Sequence, residues 1–305
     1  MPSIVEKLTK KQLIRGIPSH VPQGIQYEVM MGSFAYAVDS DSSDVDVYGF
    51  SIPDKSLVFP HLAGEIEGFG PRNPRFETWT QHHIKDPDAM GGAGREYDFS
   101  IYSITKFFDL CLGCNPNMVD ALFVSERCIS HMTPIGFMVR DARKLFLCKK
   151  AWHTFRGYAH TQLHKLNTKT PTEGKRLETV KKFGYDVKFA YHIVRLMNEV
   201  EQILEEGDLD LERSKEQLKS IRRGEWTMAE IESYFTENET RLVSVYDNSS
   251  LPQTPRYDEI KQLLLNCLEQ HFGSIKEAVS TIDPANRAIQ DIESVLSRYL
   301  AEISK

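Results

Sequence analysis

The chain has 305 residues, of which 41% are hydrophobic and 26% are charged, and its formal net charge is −6. Such a length and composition suit a folded globular protein with a large core and two domains. The acidic charge excludes a global attraction to nucleic acid or to anionic membranes, so a polyanion could bind only at a local patch.

Apolar runs and cysteines indicate the cellular compartment. No apolar run reaches the length of a membrane span, and the N-terminus lacks the apolar core of a secretory signal. The five cysteines are sparse and odd in number, which favours free thiols in a reducing cytoplasm over a disulfide framework. We therefore predict a cytoplasmic protein with no membrane partner.

The N-terminal part of the chain mixes strand and helix patterns. Strands are predicted over residues 25–31, 46–52 and 96–102. Ser103 is a candidate N-cap for a helix over 104–112, and a further helical segment covers 118–124. Residues 53–94 are rich in Pro, Gly and His without a sustained period, so they predict an irregular insertion with room for a short strand.

From about residue 133 the pattern is helical almost to the end of the chain. Apolar residues recur at helical spacing over 135–149, 151–166, 174–206, 212–222, 229–245, 257–272 and 284–303. A loop is predicted near 247–256. We therefore expect an N-terminal domain over 1–130 that contains strands, and a helical domain over 131–305.

Asp44 and Asp46 flank one valine at the start of the second predicted strand. Alternate side chains of a strand share a face, so the two carboxylates point the same way. Such a pair suits Mg²⁺, which prefers hard oxygen ligands and keeps other positions for water and substrate phosphates. An isolated Asp-x-Asp is common and is more often solvated than catalytic, so the surrounding sequence decides its meaning.

That surrounding sequence contains Gly32 and Ser33 directly after the first predicted strand. We expect a Gly-Ser turn and a short helix here, whose free backbone N–H groups would bind an anion. Hydrogen-bond donors for phosphate and metal ligands this close together in the sequence indicate phosphoryl or nucleotidyl transfer.

A Gly-Ser pair followed by Asp-x-Asp between apolar strands resembles the signature of the DNA polymerase β-like nucleotidyltransferase superfamily. Further motifs resemble its RNA-repair-pathway branch, and they fall in order over residues 25–240. The motifs are Gly32-Ser33-Phe34-Ala35-Tyr36, Ser43-Asp44-Val45-Asp46-Val47-Tyr48-Gly49, residues 98–107, Asn115-Pro116-Asn117, Phe155-x-Gly157-Tyr158-Ala159, residues 185–196 and Ile221-Arg222-Arg223-Gly224-Glu225-Trp226.

The resemblance implies an α+β fold, in which a small mixed-sheet, polymerase β-like head precedes a mainly helical domain. It also implies a third metal-binding carboxylate on a neighbouring strand, and Asp98 is the matching position. Glu96 lies two residues away on the same strand face and is the alternative. With Asp44 and Asp46, Asp98 would be catalytic and would hold two Mg²⁺ ions, with Mn²⁺ as an alternative ion.

On this resemblance, the chain would transfer a nucleoside monophosphate from an NTP to an acceptor hydroxyl. Gly32 and Ser33 would hold the NTP phosphates. Two departures from the family pattern are visible: Ala37 stands where many members have a second glycine, and Tyr48 stands where many have arginine. We expect Ala37 still to fit a helix, whereas loss of the arginine bears on how the phosphates are held.

Tyr185, Lys188, His192 and Arg195 form one stripe if residues 174–206 are a single helix. A stripe of this composition suits nucleotide binding, because Lys and Arg offset phosphate charge and Tyr can stack on a base. The alternative from periodicity alone is a solvated or salt-bridged face, and the family resemblance favours the functional interpretation.

The acceptor is the least determined part of the hypothesis. Residues 165–188 contain seven Lys or Arg against three acids, which favours RNA or a tRNA-like end as partner, whereas the acidic net charge opposes it. The alternatives are a protein or small-molecule acceptor and a catalytically silent nucleotide- or RNA-binding module. The presence of all three aspartates argues against silence.

Two further patterns are given structural interpretations. Cys111 and Cys114 lack a second pair or a nearby histidine at zinc spacing, so we expect buried thiols rather than a metal site. His82 and His83 lie in the irregular insertion, and we expect them in a surface loop.

Overall fold

The computed structural model describes residues 2–39, 43–59, 75–169, 171 and 173–273, together with 289, 292 and 296. The chain forms two compact units, one comprising Met1–Ser51 with Glu77–Cys267 and the other comprising Ile52–Phe76 with Leu268–Lys305. Apart from its three described positions, the predicted helix over 284–303 lies outside the described residues. The proposed domains over 1–130 and 131–305 stay a prediction.

The described part of the first unit contains one mixed sheet. Its strands are β1 (Ile25–Met30), β2 (Val45–Ser51), β3 (Thr78–Asp86), β4 (Arg95–Ser103) and β5 (Ile129–Met132). They lie in the spatial order β3-β4-β2-β1-β5. Strands β2 and β4 are parallel, and the other neighbours are antiparallel.

From residue 104 onward the described helices follow the predicted order, whereas the four helices before it were not predicted. The described helices are α1 (Ile4–Lys10), α2 (His20–Gly24), α3 (Lys55–Val58), α4 (Ala89–Gly92), α5 (Ile104–Leu112), α6 (Pro116–Phe123), α7 (Pro134–Asp141), α8 (Lys150–Thr168), α9 (Gly174–Phe183), α10 (Val187–Glu206), α11 (Lys215–Arg222), α12 (Met228–Asn248) and α13 (Tyr257–Phe272). The sheet and the following helices confirm the α+β class. Among the described helices, none is both long and apolar enough to cross a membrane.

Aromatic side chains join the sheet to the helices that follow it. Tyr27 on β1 is the register partner of Phe50 on β2, and their ring centroids are 5.9 Å apart. Phe50 also lies 5.0 Å from Phe107 of α5, and the Tyr27 hydroxyl donates a 2.8 Å hydrogen bond to the Ala121 carbonyl of α6. All three rings are fully buried, and burial of one such ring stabilises the fold by about 1.5–3 kcal/mol.

Helix α10 is the centre of the helical part and packs against α8, α11 and α12. Its apolar residues Ile193, Val200 and Ile203 are fully buried. Asp186 caps its N-terminus by accepting a 2.9 Å hydrogen bond from the Lys188 amide, and Gly207 ends it with a left-handed φ of 59°. A long amphipathic helix with both ends capped gives the flanking segments a fixed support.

Among the differences from the sequence prediction, three concern the helical part of the chain and strand β5. The single helix expected over 174–206 is two helices, because Gly184 adopts a left-handed φ of 84° and ends α9. The helix expected over 135–149 stops at the end of α7, and a 3₁₀ turn follows over Arg143–Phe146. Strand β5 was not predicted, since its four residues carry no clear alternation of apolar and polar side chains.

The second unit is described only in part. It contains α3 and the C-terminal end of α13. Phe59 and Phe272 pack edge to face with ring centroids 5.9 Å apart, and the Lys55 ammonium lies 6.0 Å from the Phe272 ring.

Candidate active site

Asp46 and Asp98 lie side by side on the parallel strands β2 and β4, where they are register partners. Asp44 immediately precedes β2, two residues before Asp46. The side chain of Asp44 is exposed, and those of Asp46 and Asp98 are half-buried. The parallel pairing thus brings the three aspartates that the sequence singled out to one end of the two central strands.

The electrostatic environment of Asp46 is that of a crowded carboxylate. Burial raises the pKa of the Asp46 carboxyl above its ordinary value, and the neighbouring Asp98 and Asp44 carboxylates raise it further. Lys188 and His82 act in the opposite direction. Excess negative charge held in a half-buried place is stabilised by a cation, and oxygen donors of this kind suit a hard divalent ion.

Gly32 follows β1 and lies against Asp46. The Met31 amide donates a 2.6 Å hydrogen bond to the Asp46 carbonyl, which fixes the end of β1 beside β2. A Cβ atom added at Gly32 would lie 2.0 Å from Asp46 Oδ2, so the carboxylate occupies the space that any other side chain would need. The Gly-Ser pair and the Asp-x-Asp pair therefore form one packed structure.

Residues 32–37 form consecutive turns and not the short helix that we expected. Gly32 and Ala37 have left-handed φ angles of 61° and 53°, which interrupt helical geometry at both ends of the segment. The expectation that Ala37 fits a helix was therefore wrong. Glycine, the residue that the resemblance leads one to expect at position 37, adopts this conformation without a steric penalty.

Arginines from elsewhere in the first unit hold the backbone of this turn. Arg222 at the end of α11 donates a 2.9 Å hydrogen bond to the Val38 carbonyl. Arg127 donates a 2.6 Å hydrogen bond to the Phe34 carbonyl and pairs with Glu212. The turn beside the aspartates is thus fixed by tertiary hydrogen bonds rather than by its own helix.

His82 and His83 lie beside Asp98, and the expectation of a surface loop was wrong. Strand β3 carries a bulge at these two residues, opposite Asp98 of β4. The His83 amide donates a 2.7 Å hydrogen bond to Asp98 Oδ1, and His83 Nδ1 lies 2.6 Å from Glu96 Oε1. His82 Nδ1 is 3.6 Å from Asp98 Oδ1. A bulge shifts the alternation of side chains by one residue, which conceals the strand from a period-two search.

A pocket of about 260 Å³ lies beside the N-terminal half of α10. It is lined by Asn117, Tyr158, Gln162, Arg176, Lys188, Phe189, His192, Arg195 and Leu196. Three of the four residues of the predicted stripe, Lys188, His192 and Arg195, therefore face a common cavity. Because Lys188 also influences Asp46 electrostatically, the pocket and the aspartates belong to one region of the molecule.

Tyr185 is placed differently from the other members of the stripe. It precedes the N-cap of α10 and is buried, and its hydroxyl donates a 2.5 Å hydrogen bond to the Trp226 carbonyl. It is not among the residues that line the pocket. The loss of helix between α9 and α10 removes Tyr185 from the stripe, and its stacking on a base stays a prediction.

His192 is neutral at physiological pH in this environment. Burial, and after it the positive charges of Lys188, Arg176 and Arg222, lower the pKa of its imidazole to about 3. The pocket therefore gains its positive charge from lysine and arginine, while His192 offers a neutral donor and acceptor. Arg176, which the sequence analysis did not single out, pairs with Asp186 at 2.6 Å and lies 4.3 Å from the Phe189 ring.

Arg195 is the most deeply buried cation of the pocket. It forms a 2.8 Å ion pair with Asp120 of α6, and both side chains are nearly inaccessible, at 6% and 0% exposure. The Tyr36 hydroxyl donates a 2.6 Å hydrogen bond to the same Asp120 oxygen, and the Arg195 guanidinium lies 4.5 Å from the Tyr36 ring. Asp120 thereby connects the turn over residues 32–37 to the pocket-lining helix. Burial raises the pKa of the nearby Glu199 to about 7.

Asn117, Tyr158 and Gln162 line the pocket but were not among the predicted site residues. Asn117 and Tyr158 stand in two of the motifs quoted above, and these motifs are joined by a 3.1 Å hydrogen bond that Asn115 Nδ2 donates to the Tyr158 hydroxyl. The joint presence of these two motifs in the sequence was the signal that could have linked α6 to α8, since local patterns do not show which helices pack together.

Cys111 and Cys114 are buried free thiols, as expected.

Comparison with known proteins decides the family. A profile of the RNA repair pathway DNA polymerase beta family (RlaP) matches residues 7–290. The chain belongs to this family. Membership of RlaP supports a role in nucleotidyl transfer and confirms the resemblance drawn from the motifs.

Comparisons with solved structures and with curated proteins do not extend the assignment to RlaP. A solved nucleotidyltransferase-like protein from Exiguobacterium sibiricum 255-15 is 9% identical, with a TM-score of 0.27, and the match covers 90% of this chain and 79% of that one. No curated protein matches the chain.

Proposed function

We propose that the protein is a Mg²⁺-dependent nucleotidyltransferase that moves a nucleoside monophosphate from an NTP to an acceptor hydroxyl, with an RNA end as the acceptor. The observation that carries the proposal is the parallel register of Asp46 and Asp98, with Asp44 two residues before Asp46 and Gly32 packed against its carboxylate. Family membership supports the same reaction class.

Asp44, Asp46 and Asp98 would hold the divalent ions. The donor set fits Mg²⁺, because it consists of carboxylate oxygens, and Asp46 is a half-buried carboxylate crowded by two others. Bound there, two Mg²⁺ ions would neutralise charge on the triphosphate and lower the pKa of the acceptor hydroxyl.

The chain's own contribution is positioning. The turn that contains Gly32 and Ser33 supplies backbone N–H groups for the phosphates, and the arginine contacts to its carbonyls keep its shape before substrate arrives. Lys188, a pocket residue whose charge lowers the pKa of Asp46, offsets phosphate charge. Arg195 and neutral His192 shape the pocket wall for the nucleoside.

An RNA acceptor is supported by the local excess of positive charge. Residues 165–188 carry seven basic and three acidic side chains on a chain with a net charge of −6. Lys181 and Lys182 near the end of α9 are exposed, so they are accessible to a phosphate backbone.

The decisive experiment is incubation of the purified chain and Mg²⁺ with each of the four α-labelled NTPs in turn, in the presence of separate RNA, protein and metabolite pools. Label in RNA that disappears with Asp46→Asn supports the proposal in full. Label only in protein or metabolite supports the transfer reaction and overturns the RNA acceptor. Binding of NTP without transfer to any pool identifies a silent nucleotide-binding module and overturns the proposed reaction.

A further inference from the structure

We propose that His83, Glu96 and Asp98 form a site for a divalent first-row transition-metal ion, separate from the Mg²⁺ ions assigned to Asp44 and Asp46 and sharing Asp98 with them. This proposal rests on the proposed function only through Asp98, the carboxylate that the two sites share. The site lies between the bulge of β3 and the start of β4.

The three side chains converge on a common point. One ligand atom from each of His83, Glu96 and Asp98 lies within 4.8 Å of the other two, and in the described part of the chain no other His, Cys, Asp and Glu side chains converge in this way. Metal bonds of about 2.0–2.2 Å place neighbouring ligand atoms about 3–3.5 Å apart, so small rotations of the exposed His83 and the half-buried Glu96 and Asp98 side chains suffice. His82 Nδ1, 3.6 Å from Asp98 Oδ1, is a further nitrogen at the edge of the site.

The bulge determines which side chains meet. Strand β3 is in register with β4 on both sides of residues 82 and 83, and the extra residue turns the His83 side chain towards Glu96. The left-handed φ of 59° at His83 belongs to this distortion. On β4, Glu96 and Asp98 are alternate residues and share a face.

The donor set decides the class of ion. An imidazole nitrogen with two carboxylates suits manganese through zinc, whereas Mg²⁺ is held by oxygen ligands and water. The cation already near these carboxylates is Lys85, whose ammonium lies 3.9 Å from Glu96 Oε2 and is 77% exposed. Such an exposed lysine can turn away into solvent when a dication binds.

The test uses the full chain, stripped with a chelator, in buffer with excess Mg²⁺ and no nucleotide, and Co²⁺ as the probe ion. Visible absorption and calorimetry should report one Co²⁺ per chain. The test variant is His83→Asn, because Asn tolerates a left-handed φ and keeps the backbone amide that binds Asp98. It should weaken Co²⁺ binding by at least about tenfold, as should Glu96→Gln.

Two variants serve as controls. Asp46→Asn should keep most of the Co²⁺ affinity of the wild type, because Asp46 is not a ligand of the proposed site and acts on it only through its charge beside Asp98. His164→Asn changes an exposed histidine on α8 and should keep it as well. Circular dichroism verifies the fold of each variant.

The proposal is overturned if the wild type binds no stoichiometric Co²⁺, or if His83→Asn and Glu96→Gln bind it as the wild type does. It is also overturned if Asp46→Asn loses the ion as fully as His83→Asn does, since the ion would then occupy the Asp44–Asp46 site. None of these outcomes depends on nucleotidyl transfer, so failure of the proposed function would be recognised separately in the labelled-NTP experiment.

Discussion

Gly32 and Asp46 are packed so closely that a Cβ atom at residue 32 would lie 2.0 Å from the Asp46 carboxylate oxygen. The contact joins the turn after β1 to the first residues of β2. It explains why a glycine and an aspartate that are distant in sequence act as one unit in the candidate site.

Gly32→Ala should reduce nucleotidyl transfer by at least about tenfold, because the new methyl group displaces the Asp46 carboxylate from its place beside Asp98. The left-handed φ of 61° adds about 1 kcal/mol of backbone strain. Steady-state transfer rates and thermal unfolding measure the two effects. Gly16→Ala is the matched control, since Gly16 has a φ of 65° and no atom within 4 Å of the added Cβ. Equal loss of activity in both variants would show that strain alone is responsible.

Ala37→Gly should leave the protein as stable as the wild type or stabilise it by up to about 1 kcal/mol. The alanine is held at a left-handed φ of 53°, where glycine has no steric penalty, and this gain opposes the greater entropy of glycine in the unfolded chain. Urea unfolding measures the difference. A loss above about 1 kcal/mol would contradict the conformation assigned to this turn.

Asp46→Asn should lower nucleotidyl transfer by at least about a hundredfold while the protein remains folded. Its melting temperature should equal or exceed that of the wild type, because the substitution removes a half-buried charge that lies near Asp98 and Asp44. Transfer assays and calorimetry of the metal-free protein provide the measurements. Asp109→Asn, at an exposed position on α5, is the control and should retain activity. Unchanged turnover in Asp46→Asn would refute the catalytic assignment.

His192 should make the protein less stable in acid. Its pKa is about 3 in the folded protein against about 6.5 when unfolded, so the unfolded state binds the proton more tightly. Stability is therefore complete above pH 6.5 and falls as the pH decreases towards 3; at pH 5 the loss from this residue is about 2 kcal/mol.

The measurement is urea unfolding at pH 7.5 and pH 5 for the wild type and His192→Gln. The variant should lose less stability between the two pH values than the wild type does. His164→Gln, at an exposed histidine, should follow the wild type. Identical slopes for the wild type and His192→Gln would place the titration elsewhere.

Asp120→Asn should destabilise the protein by about 3 kcal/mol, because it removes the 2.8 Å ion-pair partner of the buried Arg195 guanidinium and leaves only Glu199, at 3.7 Å, to balance its charge. Glu206→Gln breaks the exposed pair with Arg213, where the side chains are 43% and 46% accessible, and should cost less than about 1 kcal/mol. Chemical denaturation compares the two. Similar losses in both variants would show that the Arg195–Asp120 pair is not held in a dry interior.

Local patterns in the sequence were sufficient to predict features that depend on a single helix. Ser103 caps α5 by accepting a hydrogen bond from the Lys106 amide, and α5 and α13 have the predicted bounds. Capping and helical periodicity depend on residues within a few positions of each other. The shared face of Asp44 and Asp46 stays a prediction, since β2 begins at Val45 and Asp44 lies before it.

Pairing between distant segments could not be read from such patterns. The bulge at His82 and His83 breaks the alternation of β3, so residues 53–94 were expected to be an irregular insertion with room for a short strand, whereas β3 has nine residues. Gly184 separates Tyr185 from the helix that carries Lys188, and a continuous apolar period across that junction gave no sign of it. Ala37 adopts a left-handed φ in a turn whose carbonyls are held by Arg127 and Arg222.

The sequence by itself determined the family and the α+β class, and it singled out Asp44, Asp46 and Asp98 as metal-binding candidates, because motif residues and periodicity are local properties of the chain. Only the tertiary structure decided that Asp98 stands beside Asp46, that His83 joins Glu96, and that Asp120 holds Arg195. Those contacts depend on strand register and on the packing of helices that are remote in sequence. The free energy that stabilises them comes from the assembled fold and not from any single segment.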